Sequence, residues 1–246
     1  MSNSVPVLIY HHINPHSGDT VTVTPEIFSA QMAYLNDSGF NCLSVAGLLE
    51  HISGRGAAGL KPVLITFDDG WLDNFLYALP VLEKYRFKAS VFLITDRVDA
   101  VCNDMLSASV PDHAESKRLI AEGEAGQVVM GWDLLRHLQS RAVFEFFSHT
   151  ATHNRCTTLD DASLLDELRR SRARIEAELG VACPYLCWPY GDHDDRTISV
   201  AKACGYEALF TTLDGFVEPG SDPLSICRIE VKNSVEWLQH RLSEVN

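Results

Sequence analysis

Short apolar runs rich in β-branched residues alternate along the chain with stretches whose apolar positions recur every three or four residues, and that alternation predicts parallel βα units. Residues 5–10 read as the first strand. Thr24, Pro25 and Glu26 then open a helix, supplying a capping hydroxyl, a proline at the first helical position and a carboxylate at the positive end of the dipole. Phe28, Met32 and Leu35 fall on one face of it, and Gly39 ends it. A second strand is predicted over 40–44 and a short helix over 45–52. The run 62–67 is the most strand-like in the chain. A helical stretch to Tyr85, kinked or restarted at Pro80, and a strand over 88–94 complete one βαβ unit.

Residues 96–130 break that rhythm. They are polar, rich in Ala, Glu and Asp, and weakly periodic, which predicts a partly helical insertion over one rim of the core. The alternation resumes with a helix over 132–139 and a strand over 143–147. The clearest helix spans 163–179, with Ser163 and Asp166 in capping-box spacing and Gly180 as its stop. Further units are predicted at 185–188, 194–203 and 207–211, and a last helix over 234–242. With no obvious linker and no internal repeat, a single α/β domain is expected across 1–246.

Composition narrows the partners. With 46% hydrophobic and 22% charged residues, the chain reads as a folded soluble protein. A formal net charge of −13 opposes nucleic acid and anionic lipid, because the mean field of the surface repels polyanions. The apolar run at the N-terminus has no basic residue ahead of it and is interrupted at once by His11 and His12, too short for a secretory signal or an integral membrane segment. Seven cysteines without even, tight spacing read as reduced thiols and point to a cytoplasmic location. Cys183 and Cys187 have a metal-like spacing, but no second pair follows, so they read as buried thiols.

Three clusters stand just past predicted strands, where a parallel α/β fold gathers its chemistry. In Thr66-Phe67-Asp68-Asp69-Gly70 two adjacent carboxylates leave a buried strand, and alternating side-chain directions let one bind a cation while the other stays free to accept a proton. The plainer reading is a solvated Asp-Asp-Gly turn. In Ser148-His149-Thr150-Ala151-Thr152-His153 two imidazoles four positions apart can meet at one ion if the segment makes a helical turn. With a carboxylate from Asp69 they leave a position open for water, as a hydrolytic zinc site requires. A His pair alone more often caps or hydrogen-bonds locally. In Trp188-Pro189-Tyr190-Gly191 the proline and glycine fix a tight turn that can aim a backbone N–H into a site, though such a turn is ordinary by itself. Trp71 and Trp188, with Pro189 beside the latter, form a candidate sugar-binding surface, since an indole suits the apolar face of a pyranose; the alternative is burial in the core.

In this order and with these gaps, the three motifs resemble those of the polysaccharide deacetylases of carbohydrate esterase family 4, the NodB homology domain, over about residues 5–231. The resemblance implies a distorted, incomplete (β/α)7 barrel with the motifs at its mouth. It also implies a metal-dependent N-deacetylase that hydrolyses the acetamido group of an N-acetylated amino sugar in a glycan or glycoconjugate and releases acetate. Carried over position by position, it makes Asp68 the general base, Asp69, His149 and His153 the ligands of a divalent metal, and the backbone N–H of Tyr190 the donor to the oxyanion. Zinc is the default for such ligands, with cobalt and nickel also fitting.

Two departures from the family pattern stand out. Where the family has an arginine shortly before Pro-Tyr-Gly, this chain has Cys187 and Trp188, and Arg228 is the candidate replacement. There is no Leu-x-His motif near the C-terminus; His240, the only histidine beyond position 207, falls on an amphipathic helix. Ile9-Tyr10-His11, at the end of the first strand, instead resembles the circularly permuted subgroup that includes deacetylases of poly-N-acetylglucosamine. That resemblance makes His11 the general acid, with His12 pointing to the other side if the strand continues. Two other readings stay open: a hydrolase of another non-peptide C–N bond, such as a cyclic amide, and a degenerate barrel that binds glycans without turning them over.

Overall fold

The structure, a computed structural model, describes residues 4–55, 61–101 and 110–243. Its strands in chain order are β1 (Val7–Tyr10), β2 (His12–Ile13), β3 (Thr22–Val23), β4 (Asn41–Cys42), β5 (Pro62–Asp69), β6 (Ala89–Leu93), β7 (Phe144–Ser148), β8 (Tyr185–Cys187), β9 (Ala208–Phe210) and β10 (Ile229–Glu230). The helices are α1 (Pro25–Asp37), α2 (Val45–Ile52), α3 (Leu79–Tyr85), α4 (Thr95–Asp99), α5 (His113–Ala121), α6 (Trp132–Ser140), α7 (Asp161–Leu179), α8 (Asp195–Ala203) and α9 (Val235–Ser243).

The strands β10-β1-β5-β6-β7-β8-β9 lie side by side in one parallel sheet, and β4 pairs with the start of β5. The sheet curls into part of a barrel, giving a single α/β domain. Segment 226–230 touches both of its edges: Ile226 bridges Phe210 at the end of β9, and Ile229 pairs with Leu8 of β1. β5 is buried along its whole length, as expected of a central parallel strand covered on both faces, and it runs two residues past the predicted 62–67 to include both aspartates.

Local chemistry accounts for most helix boundaries. Thr24 caps α1 by accepting from Ile27 N, and Phe28, Gln31, Met32 and Leu35 form its buried face. Before Pro80 the chain winds through a wider π-turn (Asn74–Ala78) and restarts as α3, because proline lacks the N–H that would continue the first helix. The cap of α7 differs from the expected Ser163–Asp166 box: Asp160 accepts from Ser163 N at 2.7 Å, so the helix starts two residues earlier. Gly180 ends it at φ +66°.

The expected insertion over 96–130 lies partly outside the described residues. Its described remainder, with α4 and α5, closes on the loop that follows β5. Leu72 N donates to Val128 O (2.8 Å), Met130 N to Gly70 O (3.1 Å), and Asn14 Nδ2 to Pro111 O (2.7 Å). The C-terminal ends of β1, β5, β7 and β8 thereby face one rim, and the residues singled out above stand there.

Candidate metal centre

β5 delivers Asp68 and Asp69 as buried residues, and the chain then turns sharply, with Asp69 at φ +76° and Gly70 at φ +78°. A Cβ at Gly70 would stand 2.8 Å from Leu93 Cδ2, so the turn needs glycine for space as well as for conformation. His149 follows β7, and its Nδ1 bonds to Cys187 O at 2.8 Å; with Nδ1–H donating there, Nε2 is left as the bare nitrogen. That Nε2 lies 3.6 Å from Asp69 Oδ1, and His153 Nε2 lies 3.5 Å from the same oxygen. The two histidines do not converge through a helical turn. Thr150 (φ +65°) and His153 (φ +68°) are both left-handed, and Thr150 Oγ1 accepts from His153 N at 3.2 Å, folding the segment into a tight loop.

The donor set fits a divalent cation. Asp69 Oδ1 is buried with no hydrogen-bond partner while facing two imidazole nitrogens, and the three ligand atoms lie within 4.8 Å of one another. An orphaned carboxylate oxygen in such a place is costly unless a cation completes it. The other oxygen, Oδ2, accepts from Trp71 Nε1 at 3.1 Å. Burial pushes the Asp69 carboxyl up, but His153 and Arg97 outweigh it and hold the group at about 2. Burial drives His149 down and His153 down to about 3, so both imidazoles are neutral at neutral pH, as metal ligation requires.

Asp68 has different company. Arg228, buried just ahead of β10, grips it in a fork, Nη1 to Oδ1 and Nη2 to Oδ2, both at 2.9 Å. The same guanidinium donates to Thr211 O (2.8 Å), Thr66 Oγ1 (3.2 Å) and Cys187 Sγ (2.9 Å). Burial pushes the Asp68 carboxyl up, and Arg228 more than cancels this, holding it well below the ordinary carboxylate range. Burial raises the Cys187 thiol well above its usual value, in line with an inert core thiol. His11 stands at the end of β1 with Nε2 3.9 Å from Asp68 Oδ2, on the same rim but beyond hydrogen-bond distance. His12 turns aside to Asp73.

Tyr190 is left-handed (φ +59°, ψ 12°), which folds the Pro-Tyr-Gly turn against the histidine loop; its ring centroid is 4.6 Å from that of His153. The sugar-platform expectation for Trp71, Trp188 and Pro189 is corrected here. Trp71 is 1% exposed and Trp188 fully buried, and Pro189 is buried as well, so none offers a face to a pyranose. The indole of Trp71 is committed to Asp69 and to packing, and Trp188 belongs to the cluster formed with Leu164, Leu168 and Leu209. The exposed aromatic at this rim is Tyr190, 57% accessible, with the Arg155 guanidinium 4.5 Å from its ring centre. Arg97, whose Nη1 is 3.8 Å from Asp69 Oδ2, carried no signal because it lies in the weakly periodic stretch.

Comparison with known proteins identifies the family and the fold. Residues 55–209 match the family described as polysaccharide deacetylase. The Bacillus subtilis protein YxkH, named for the same family, is 25% identical over 227 residues, covering 92% of this chain and 71% of its own. The poly-beta-1,6-N-acetyl-D-glucosamine N-deacetylase of Escherichia coli is 23% identical over 261 residues, and the match covers 94% of this chain but only 37% of that longer protein. Among solved structures, the Streptococcus pyogenes deacetylase PplD, determined with acetate, superposes with a TM-score of 0.81 at 23% identity over 98% of both chains, which is a likeness of fold.

Proposed function

The chain belongs to the polysaccharide deacetylase family, and from that premise we propose that it is a metal-dependent N-deacetylase of an N-acetylated amino sugar in a glycan or glycoconjugate. The observation that carries the reading is the unpartnered Oδ1 of Asp69, held between two neutral imidazoles with the ionised Asp68 beside them.

An amide is a poor electrophile with a poor leaving group, so a water must be activated, the oxyanion held and the amine protonated. Asp69, His149 and His153 would hold a divalent ion, which would supply Lewis acidity toward the acetyl carbonyl and the attacking water. The chain's own groups do the rest. Asp68, ionised at any working pH and fixed by Arg228, accepts the proton of the attacking water as its oxygen bonds to the acetyl carbon. Because Arg228 keeps it a weak base, Asp68 releases that proton readily. The backbone N–H of Tyr190 is the donor to the oxyanion. His11 delivers a proton to the sugar nitrogen as the C–N bond breaks, leaving acetate and a free amine. In this reading β1 does the work that the family commonly gives to its C-terminal histidine motif, as in a circularly permuted subgroup. Zinc suits two imidazoles and a carboxylate, with cobalt or nickel as substitutes.

The binding-only alternative drew its force from the missing arginine, and Arg228, reaching Asp68 from 160 positions away, fills that electrostatic place. The free thiols also favour a cytoplasmic acetamido-sugar precursor as substrate; recovery of the active protein from an oxidising compartment would remove that part. The test is acetate release from N-acetylglucosamine oligomers in β-1,4 and β-1,6 linkage, with metal analysis alongside. Wild type should release acetate and carry one ion per chain, and Asp68→Asn, His149→Ala and His11→Ala should each be impaired. Full activity in a chelated, metal-stripped sample would refute the proposal, and hydrolysis of cyclic amides instead of these oligomers would move the activity to another C–N bond.

A further inference from the structure

Asp69 has two oxygens with unequal surroundings, and the inequality is built by Trp71. The indole N–H donates to Oδ2 at 3.1 Å, which turns Oδ1 toward His149 and His153. A carboxylate on a short side chain could otherwise rotate, offering a cation either oxygen or both. We propose that Trp71 is a positioning residue of the metal centre, selecting Oδ1 of Asp69 as the liganding oxygen, and that His12 and Asp73 hold the indole for that task. The inference rests on reading Asp69 as a metal ligand.

The indole is itself braced. The His12 ring stacks on it with centroids 4.2 Å apart and planes 30° from parallel. His12 Nδ1 bonds to Asp73 Oδ2 at 2.6 Å, and Asp73 in turn accepts from Asn14 Nδ2 (3.3 Å) and Asn74 Nδ2 (3.0 Å). The second nitrogen of His12 meets His113 Nδ1 of α5 at 3.0 Å, and the His113 ring packs edge-on against Trp71. The Arg97 guanidinium lies 5.7 Å from the indole centre. His12, Trp71 and Asp73 are almost wholly withdrawn from water, so the contacts operate where screening is weak and each lost partner is felt. Cationic character against the ring draws electron density from it and strengthens the N–H as a donor to Asp69. This explains why a tryptophan, too buried to meet a sugar, stands two residues after a metal ligand: it orders the ligand, as outer-shell partners of metal-bound groups do.

The experiment measures zinc affinity by competition with a chromophoric chelator. The variants are Trp71→Phe, a protein carrying β-benzothienylalanine at position 71, and Asp73→Asn. The analogue keeps the bicyclic shape and replaces the N–H with sulfur, so it separates the hydrogen bond from packing even if Trp71→Phe fails to fold. Loss of the N–H should weaken zinc binding by about 10- to 100-fold while one ion per chain is still bound and the melting temperature of the metal-free protein is unchanged for the analogue. Asp73→Asn should weaken it several-fold. Zinc affinity for the analogue within about twofold of wild type would overturn the role of Trp71, and an Asp73→Asn protein with unaltered affinity would overturn the bracing role. A wild-type protein that binds no stoichiometric zinc is a distinguishable result, because it removes the metal centre itself.

Discussion

Asp68 and Asp69 are adjacent and both buried, yet they sit in opposite electrostatic regimes. Around Asp68 compensation is internal: a forked guanidinium meets both oxygens, and that guanidinium is tied in turn to Thr66, Thr211 and Cys187. Around Asp69 one oxygen is unpartnered, the facing imidazoles are driven neutral, and the backbone is left-handed at 69, 150 and 153. The first half is a closed ion pair, and the second is a strained, electron-rich socket. A fold can thus compensate one buried carboxylate fully with an ion pair while leaving an oxygen of its neighbour without a partner, and the two cost stability differently.

The sharpest way to break this comparison is to neutralise each carboxylate in turn. Asp68→Asn and Asp69→Asn should both reduce acetate release to background, the largest effect expected. Next in size, His11→Ala should lower kcat by about 10²- to 10⁴-fold on amino-sugar substrates, and the loss should shrink on p-nitroacetanilide, whose amine is a better leaving group and depends less on protonation. Equal losses on both would deny His11 the role of acid.

Stability should then separate the two halves. Asp68→Asn and Arg228→Met each leave a buried charge without its partner and should cost about 3–5 kcal/mol in urea denaturation of the metal-free protein. Asp69→Asn gives up the attraction of Arg97 but also removes the burial cost of an oxygen without a hydrogen-bond partner, at a left-handed position that asparagine tolerates, so it should cost clearly less than either. An equal loss in both aspartate variants would erase the distinction drawn here.

The smallest effect is a difference in pH window. His153 falls from about 6.5 in an unfolded chain to about 3 in the fold, so the unfolded state takes up its proton first. Stability of the metal-free protein should decline as pH drops below about 6.5 and stop declining on this account below about 3. Asp68, depressed by Arg228, contributes stability above about 3.9 that is lost as pH falls through its lower folded value. His153→Ala should flatten the upper limb of the stability–pH curve and Asp68→Asn the lower one; one limb responding to both variants would mean that the halves are coupled.

The sequence made the local parts of the fold legible and left the long-range parts obscure. Helices α1, α2, α6 and α8 begin within a residue of where they are predicted; in α1, α2 and α8 the start is fixed by a side-chain cap, a contact between residues three apart, whereas α6, which has none, follows its periodicity alone. β10 was invisible: a two-residue strand has no period, and it exists only because β1 is there to pair with it. At the site, motif spacing singled out the carboxylates and histidines, and Arg228 was reachable only through its expected proximity to the same barrel end. The tryptophans misled, since proximity in sequence to a motif does not say whether an indole faces water or the core. Nor could residue order reveal that left-handed backbone, rather than a helical turn, brings His149 and His153 together.

Segment 226–230 joins the two edges of the sheet and carries Arg228. During synthesis from the N-terminus, Asp68 and the three candidate ligands emerge well before that arginine. The socket can therefore assemble early, while the acidic partner beside it stays uncompensated until nearly the whole chain is made. Long-range closures of this kind are slow steps in folding. Truncation between residues 210 and 226 should accordingly leave a species with an open barrel edge and an Asp68 carboxyl pushed upward by burial, prone to capture by other unpaired strands.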